Sequence, residues 1–204
     1  MSVLDMGSGP WTRNSWRGTL ARSAQALALL ALAAPRLAAQ DDDPAAKAAA
    51  VRAAIVYKLA GYLQRTTPPK EPPTEFRIGV FGDDDVTKIA ARILDGKLVG
   101  TLKVKVVVVT PAMLAKGPVD DRCDLLYVAA TTPLATAKAI AAQHATRPLP
   151  TICELPGFVA AGGSIQMFVE GGSIRFEVAA KTLENQGVRA SPQLLKLSRK
   201  GPVE

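Results

Sequence analysis

Histidine is almost absent from this chain: His144 is the only one in 204 residues, and Cys123 and Cys153 are the only cysteines. Structural zinc sites draw their ligands mostly from these two residue types, and two cysteines with one distant histidine do not make such a set. A serine, threonine or cysteine nucleophile needs a neighbouring base. His144 sits in Ala142-Gln-His-Ala-Thr146, at the polar end of an expected helix, where a solvent-facing side chain is the expectation. No Gly-x-Ser-x-Gly elbow occurs, and no glycine-rich phosphate loop precedes a helix. Gly157 and Gly162-Gly163 read as turns framing a short helix. Catalysis is therefore not expected, and neither is a cofactor. Aromatic residues make up only 5% of the chain and fall mainly in apolar segments, with basic residues scattered between them. That argues against nucleic acid, which needs a concentrated basic face and stacking platforms. Long apolar runs are missing too, and so are internal repeats.

The longest apolar run, 26–34, is too short to span a bilayer, which takes about 20 residues. It follows Arg13, Arg17 and Arg22 and precedes Leu37-Ala38-Ala39, whose alanines supply the small residues. That order of charge, apolar core and small residues is the pattern of a secretory signal, cleaved near Ala39 and leaving 40–204 as one domain. No twin arginine and no cysteine near the cleavage point occur, so the general route is expected and a lipid anchor is not. Removing Arg13, Arg17, Arg22, Arg36 and Asp5 lowers the net charge from +7 to +4.

Beyond the signal, helical and strand patterns alternate. Three aspartates and Pro44 open a helix over 45–64 with a stripe at Val51, Ile55, Leu59 and Tyr62, widened by Ala54 and Val56. The prolines at 68, 69, 72 and 73 form a linker. Strands are expected at 76–81, 103–109, 124–129 and 149–154, and helices at 86–94, 111–116 and 133–143, the last capped by Thr132. The continuously apolar 106–109 suits a strand covered on both faces. The end differs: 164–169 and 173–178 flank a glycine turn, an antiparallel hairpin. Helices near 180–186 and 192–200 finish the chain, with Ser191 as the second cap and Leu194, Leu195 and Leu197 as its apolar face. The fold class is α/β, a largely parallel sheet between helix layers, with a C-terminal antiparallel hairpin and two terminal helices.

Three groups are candidate sites. Asp83, Asp84 and Asp85 follow the first strand, where open parallel sheets place ligands, and Glu154 ends a strand on the same rim. Oxygen-rich rims hold Mg²⁺ or Ca²⁺, whereas the simpler reading is a helix cap and a solvated turn, with no metal. Arg175 and Glu177 alternate with Ile174, Phe176 and Val178, giving a charged hairpin face that is either solvated or turned to a partner protein. Cys123 lies at a strand start and Cys153 at a strand end, which favours two buried thiols and leaves a disulfide as the alternative.

Several blocks resemble one family. Gln166-Met-Phe-Val-Glu-Gly-Gly-Ser-Ile-Arg-Phe-Glu-Val178, Gly187-Val-Arg-Ala-Ser191 and Leu194-Leu-Lys-Leu-Ser-Arg199 are similar to the end of YfiR-like periplasmic proteins, also catalogued as a domain of unknown function. Ala54-Ile-Val-Tyr57, Ile78-Gly-Val-Phe-Gly-Asp83, Cys123-Asp-Leu-Leu-Tyr-Val128 and Pro150-Thr-Ile-Cys-Glu154 match in order, so the resemblance covers about residues 47–199. Gln64-Arg-Thr-Thr-Pro68 replaces the family's Trp-Pro pair, Ala179 an Asn, and Glu154 a common Asp. The resemblance implies a periplasmic homodimer that acts by binding. A relative of this kind holds the periplasmic part of a membrane-bound diguanylate cyclase inactive, limiting cyclic di-GMP and biofilm formation. Other membrane sensors, such as histidine kinases, are the implied partners of further members. The competing reading is a small-molecule receptor or carrier using Asp83, Asp84 and Glu154.

Overall fold

Runs of β-branched and apolar residues become strands, and the amphipathic stretches between them become the helices that cover those strands. The computed structural model describes residues 43–69 and 71–198; the expected signal at 1–39 lies outside the described residues. The elements are α1 (Pro44–Gly61), β1 (Leu63–Arg65), β2 (Glu75–Phe81), α2 (Asp85–Leu94), β3 (Leu98–Val99), β4 (Leu102–Val109), α3 (Pro111–Lys116), β5 (Leu125–Val128), α4 (Leu134–His144), β6 (Thr151–Cys153), β7 (Ile165–Glu170), β8 (Ser173–Val178), α5 (Ala180–Asn185), β9 (Val188–Ala190) and α6 (Pro192–Leu197).

The main sheet has the order β3-β4-β2-β5-β6-β7-β8. Its middle, β4 through β7, is parallel. β3 and β8 add antiparallel edges. The Gly171-Gly172 loop joins β7 to β8 with φ of 57° and 73°, as a type I′ turn requires. Each sheet face has its own core. Ile78, Val80, Leu125, Tyr127, Ile152 and Met167 pack toward α1 and α2. Phe81, Leu126, Val128, Cys153 and Phe158 pack with Ala137, Ile140 and Ala141 of α4. β5 is buried at every residue, as a central strand between two helix layers must be.

Several details differ from the sequence reading. α1 stops at Gly61, and Leu63–Arg65 instead pairs antiparallel with Val188–Ala190, a second small sheet that no local pattern announced. α1 buries Ala49, Ala53, Val56, Leu59 and Ala60, while Val51 is 53% exposed. Of the expected stripe, Leu59 is buried and Ile55 and Tyr62 pack partly buried against the core, so Val51 alone falls outside it. Thr132 does not cap α4; Pro133 takes that place without a side-chain bond, and Thr132 Oγ1 is buried without a partner. Ser191 does cap α6, accepting from Leu194 N at 3.2 Å. Of the expected apolar face only Leu194 is buried, whereas Leu195 and Leu197 are exposed.

His144 is the plainest correction. Its side chain is fully buried, because Nδ1 bonds Ile140 O at 2.8 Å and the Val119 N–H donates to Nε2 at 3.3 Å. With Nε2 accepting, Nδ1 carries the proton and the ring is neutral. It links α4 to the 117–124 loop, and both ring nitrogens are spent on backbone. Burial pushes its pKa below the ordinary histidine value, with the Ile140 carbonyl opposing the shift. The unfolded chain binds this proton near pH 6.5 and the folded chain only lower, so protonation favours unfolding. Its contribution to stability is thus present above about pH 6.5 and is lost as pH falls toward the depressed folded value. Urea midpoints measured from pH 7 to pH 5.5 are expected to fall in the native protein and to fall less steeply in His144→Gln. Equal slopes would refute the assignment.

Candidate functional site

The strand order reverses direction between β2 and β5, and ligand crevices of open α/β sheets form at such points, beyond the carboxyl ends of the strands. Here the chain fills that place itself. Gly82 follows β2 with φ of 102°, and a Cβ there would come within 2.6 Å of the Ala129 Cβ. Asp84 then caps α2: Oδ1 accepts from Thr87 N at 2.8 Å, and the Thr87 hydroxyl receives the Asp84 N–H at 3.0 Å, a reciprocal box. Asp84 Oδ2 accepts from the Tyr127 hydroxyl at 2.9 Å and from Ala130 N at 3.2 Å. Thr131 Oγ1 donates to the Asp83 carbonyl at 3.1 Å. One carboxylate therefore stitches the loop after β2 to the loop after β5.

Glu154 comes to the same region. Burial, then the charges of Asp84 and Glu154, push the Tyr127 hydroxyl far above its ordinary pKa, so it stays protonated and donates. Glu154 Oε2 accepts from Arg52 Nε at 3.0 Å, tying α1 to the end of β6, while Oε1 is buried without a partner. Asp83 is not part of the cluster: its side chain is 86% exposed and pairs with Lys88 at 3.3 Å. No group of three His, Cys, Asp or Glu side chains able to hold a metal occurs among the described residues.

The remaining candidates stand apart from this rim. Arg175 and Glu177 are on β8, at the far edge of the sheet. Cys123 and Cys153 are free and buried. The register sets Val128, at the end of β5, beside Cys153, whereas Cys123 precedes the start of β5, so the two thiols lie toward opposite ends of that strand. A disulfide needs Cα atoms within about 7 Å. Burial raises the two thiols to about 12 and about 11, so both stay protonated and inert at neutral pH.

Sequence reasoning missed a cleft of about 730 Å³ at the opposite, amino-terminal ends of the strands. Leu63, Phe76, Leu102 and Val188 give it an apolar lining, and Arg65, Arg77 and Asp124 a charged one. Asp124 orders that wall: Oδ1 accepts from Arg65 Nη2 at 3.0 Å, and Oδ2 from Arg77 N at 2.7 Å and Arg77 Nε at 3.4 Å. Its residues come from β1, β2, β9, the proline linker and the turn before β5, so no local motif spelled it out. The prolines at 69, 72 and 73, read as a mere linker, form part of its wall.

The rim geometry makes Asp84 a fastener. Asp84→Ala leaves Thr87 N, Ala130 N and the Tyr127 hydroxyl short of their acceptor and is expected to cost about 2–3 kcal/mol in urea unfolding. Asp83→Ala should stay within about 0.5 kcal/mol of the native protein. Equal losses from the two would contradict the reading.

No curated protein matches this chain. A family model described as DUF4154, YfiR/HmsC-like, matches residues 49–199. The match takes in every strand of the main sheet and both strands of the small one. With the alternating parallel core, the terminal hairpin and the returning β9 all inside it, the chain belongs to the YfiR/HmsC-like family.

Proposed function

We propose that this chain is a periplasmic regulatory protein without catalytic activity, which binds the periplasmic part of a membrane signalling protein, such as a diguanylate cyclase, and restrains it. The family match over 49–199 carries this reading. Residues 1–39 act as its signal, with cleavage near Ala39, and the working form is a homodimer. The chemistry of the described residues supports action by contact. His144 is locked between backbone groups, both thiols are buried, and Asp84 is consumed by the loops it joins. A binding protein of this kind shifts a receptor by preferring one of its states, and the shift cannot exceed the difference in affinity. No helix among the described residues is long and apolar enough to cross a membrane. The processed protein, immobilised and exposed to detergent-solubilised envelopes of its own organism, is expected to retain a membrane sensor. Recovery of none across several detergents would count decisively against the proposal.

A small-molecule receptor is the second reading, and the cleft favours it. A space of about 730 Å³ with an apolar lining and ordered charges has the size and character of ligand pockets. The ligand place then moves from the Asp83, Asp84 and Glu154 rim to the wall held by Arg65, Arg77 and Asp124. Thermal unfolding against a panel of small carboxylic acids and amines tests it. A ligand at a hundredfold its Kd adds about 2.7 kcal/mol, a rise of several degrees for a domain of this size, and Arg65→Ala should abolish the rise. A panel without any shift removes this reading.

A further inference from the structure

We infer that the outer edge of β8 is a homodimer interface, pairing antiparallel with β8 of a second copy about a twofold axis at Phe176. This deepens the dimeric part of the proposed reading and does not depend on the membrane partner.

The two edges of the sheet are treated differently. On the β4 side, β3 covers the first residues, Val104 exchanges backbone bonds with Gly96 and Lys97, and the Asp95 carboxylate caps the Val106 N–H at 2.7 Å. Those are devices that stop an edge from recruiting another strand. β8 ends the sheet with no strand on its outer side among the described residues. Its sequence, Ser-Ile-Arg-Phe-Glu-Val, carries no proline, lysine or glycine, and its pairing with β7 runs without a bulge from Ser173 to Val178. An unblunted edge of this length is stable in solution when something pairs with it.

The register says what that is. The tight turn makes Glu170 and Ser173 a hydrogen-bonded pair, so alternation assigns the backbone groups of Ser173, Arg175 and Glu177 to β7. Ile174, Phe176 and Val178 therefore present their N–H and C=O groups outward. A twofold axis at Phe176 sets Phe176 opposite itself and Ile174 opposite Val178, and each of these is an outward-bonding pair. The same axis sets Arg175 opposite the second copy's Glu177, and Glu177 opposite its Arg175, at the closer non-bonded positions. Neither side chain makes an ion pair within the chain among the described residues. Both the backbone and the charges are thus self-complementary in one register, which an isologous dimer demands. Pairing would also continue the apolar surface of Ile174, Phe176 and Val178, which pack only partly against the core.

Charge reversal tests the register without touching the core. Arg175→Glu places two acids at each contact and Glu177→Arg two bases, so each variant alone is expected to dimerise at least about tenfold more weakly in sedimentation across a micromolar concentration series. An equimolar mixture of the two variants restores both pairings and should recover a heterodimer, and the double reversal should recover the homodimer. Circular dichroism melts check that every variant is folded. A monomeric native protein throughout the series, single reversals that dimerise like the native protein, or a mixture that stays monomeric would each overturn the interface. Each result leaves the membrane-partner reading to its own experiment.

Discussion

A buried amide ties together the carboxyl-terminal part of this fold. Gln186, 2% exposed, donates from Nε2 to His144 O and Leu149 O at 2.9 and 3.2 Å, and its Oε1 accepts from Ser164 Oγ at 2.8 Å. Ser164 Oγ in turn accepts from Thr151 N, and Thr151 Oγ1 from Ser164 N. The end of α4, the start of β6, the start of β7 and the end of α5 thus meet through polar groups that satisfy one another. In a low-dielectric interior a complete network of this kind fixes a unique arrangement, whereas a half-made one is costly. The chain after α5 leaves this junction to pair β9 with β1.

The opposite rims of the sheet divide the labour. At the carboxyl ends, where related architectures leave a crevice, Gly82 lets the backbone close against Ala129 and Asp84 locks the closure. At the amino ends, the proline linker stands off the sheet and leaves a cleft whose charges are already ordered by Asp124. Strand-end acids therefore serve the fold here, and open space lies where the strands begin. The far edge, β8, faces neither rim, so docking there leaves both ends of the sheet free.

What the sequence made legible follows the range of the forces involved. Central strands announce themselves because burial on both faces demands unbroken apolar runs, as in Leu125–Val128. The hairpin shows because two positive-φ positions demand glycine, and Ser191 shows because a cap acts within three residues. β1 and β9 were invisible, since three-residue strands exist only through a partner far along the chain. His144 misled because its neighbours in sequence are polar, while its surroundings in space are Ile140 O and Val119 N. The Asp84–Glu154 approach around Tyr127 and the Arg65–Asp124 wall depend on tertiary distance alone, and no spacing rule encodes them.

The small sheet has a temporal meaning. Thr66 bonds to the Gly187 carbonyl across 121 residues of chain, and Ser191 N reaches back to the Tyr62 carbonyl. Synthesis delivers Leu63–Arg65 long before Val188–Ala190, so the first strand of this pair must wait, unsatisfied, for nearly the whole polypeptide. A ribosome-bound chain therefore cannot seal its own seam early.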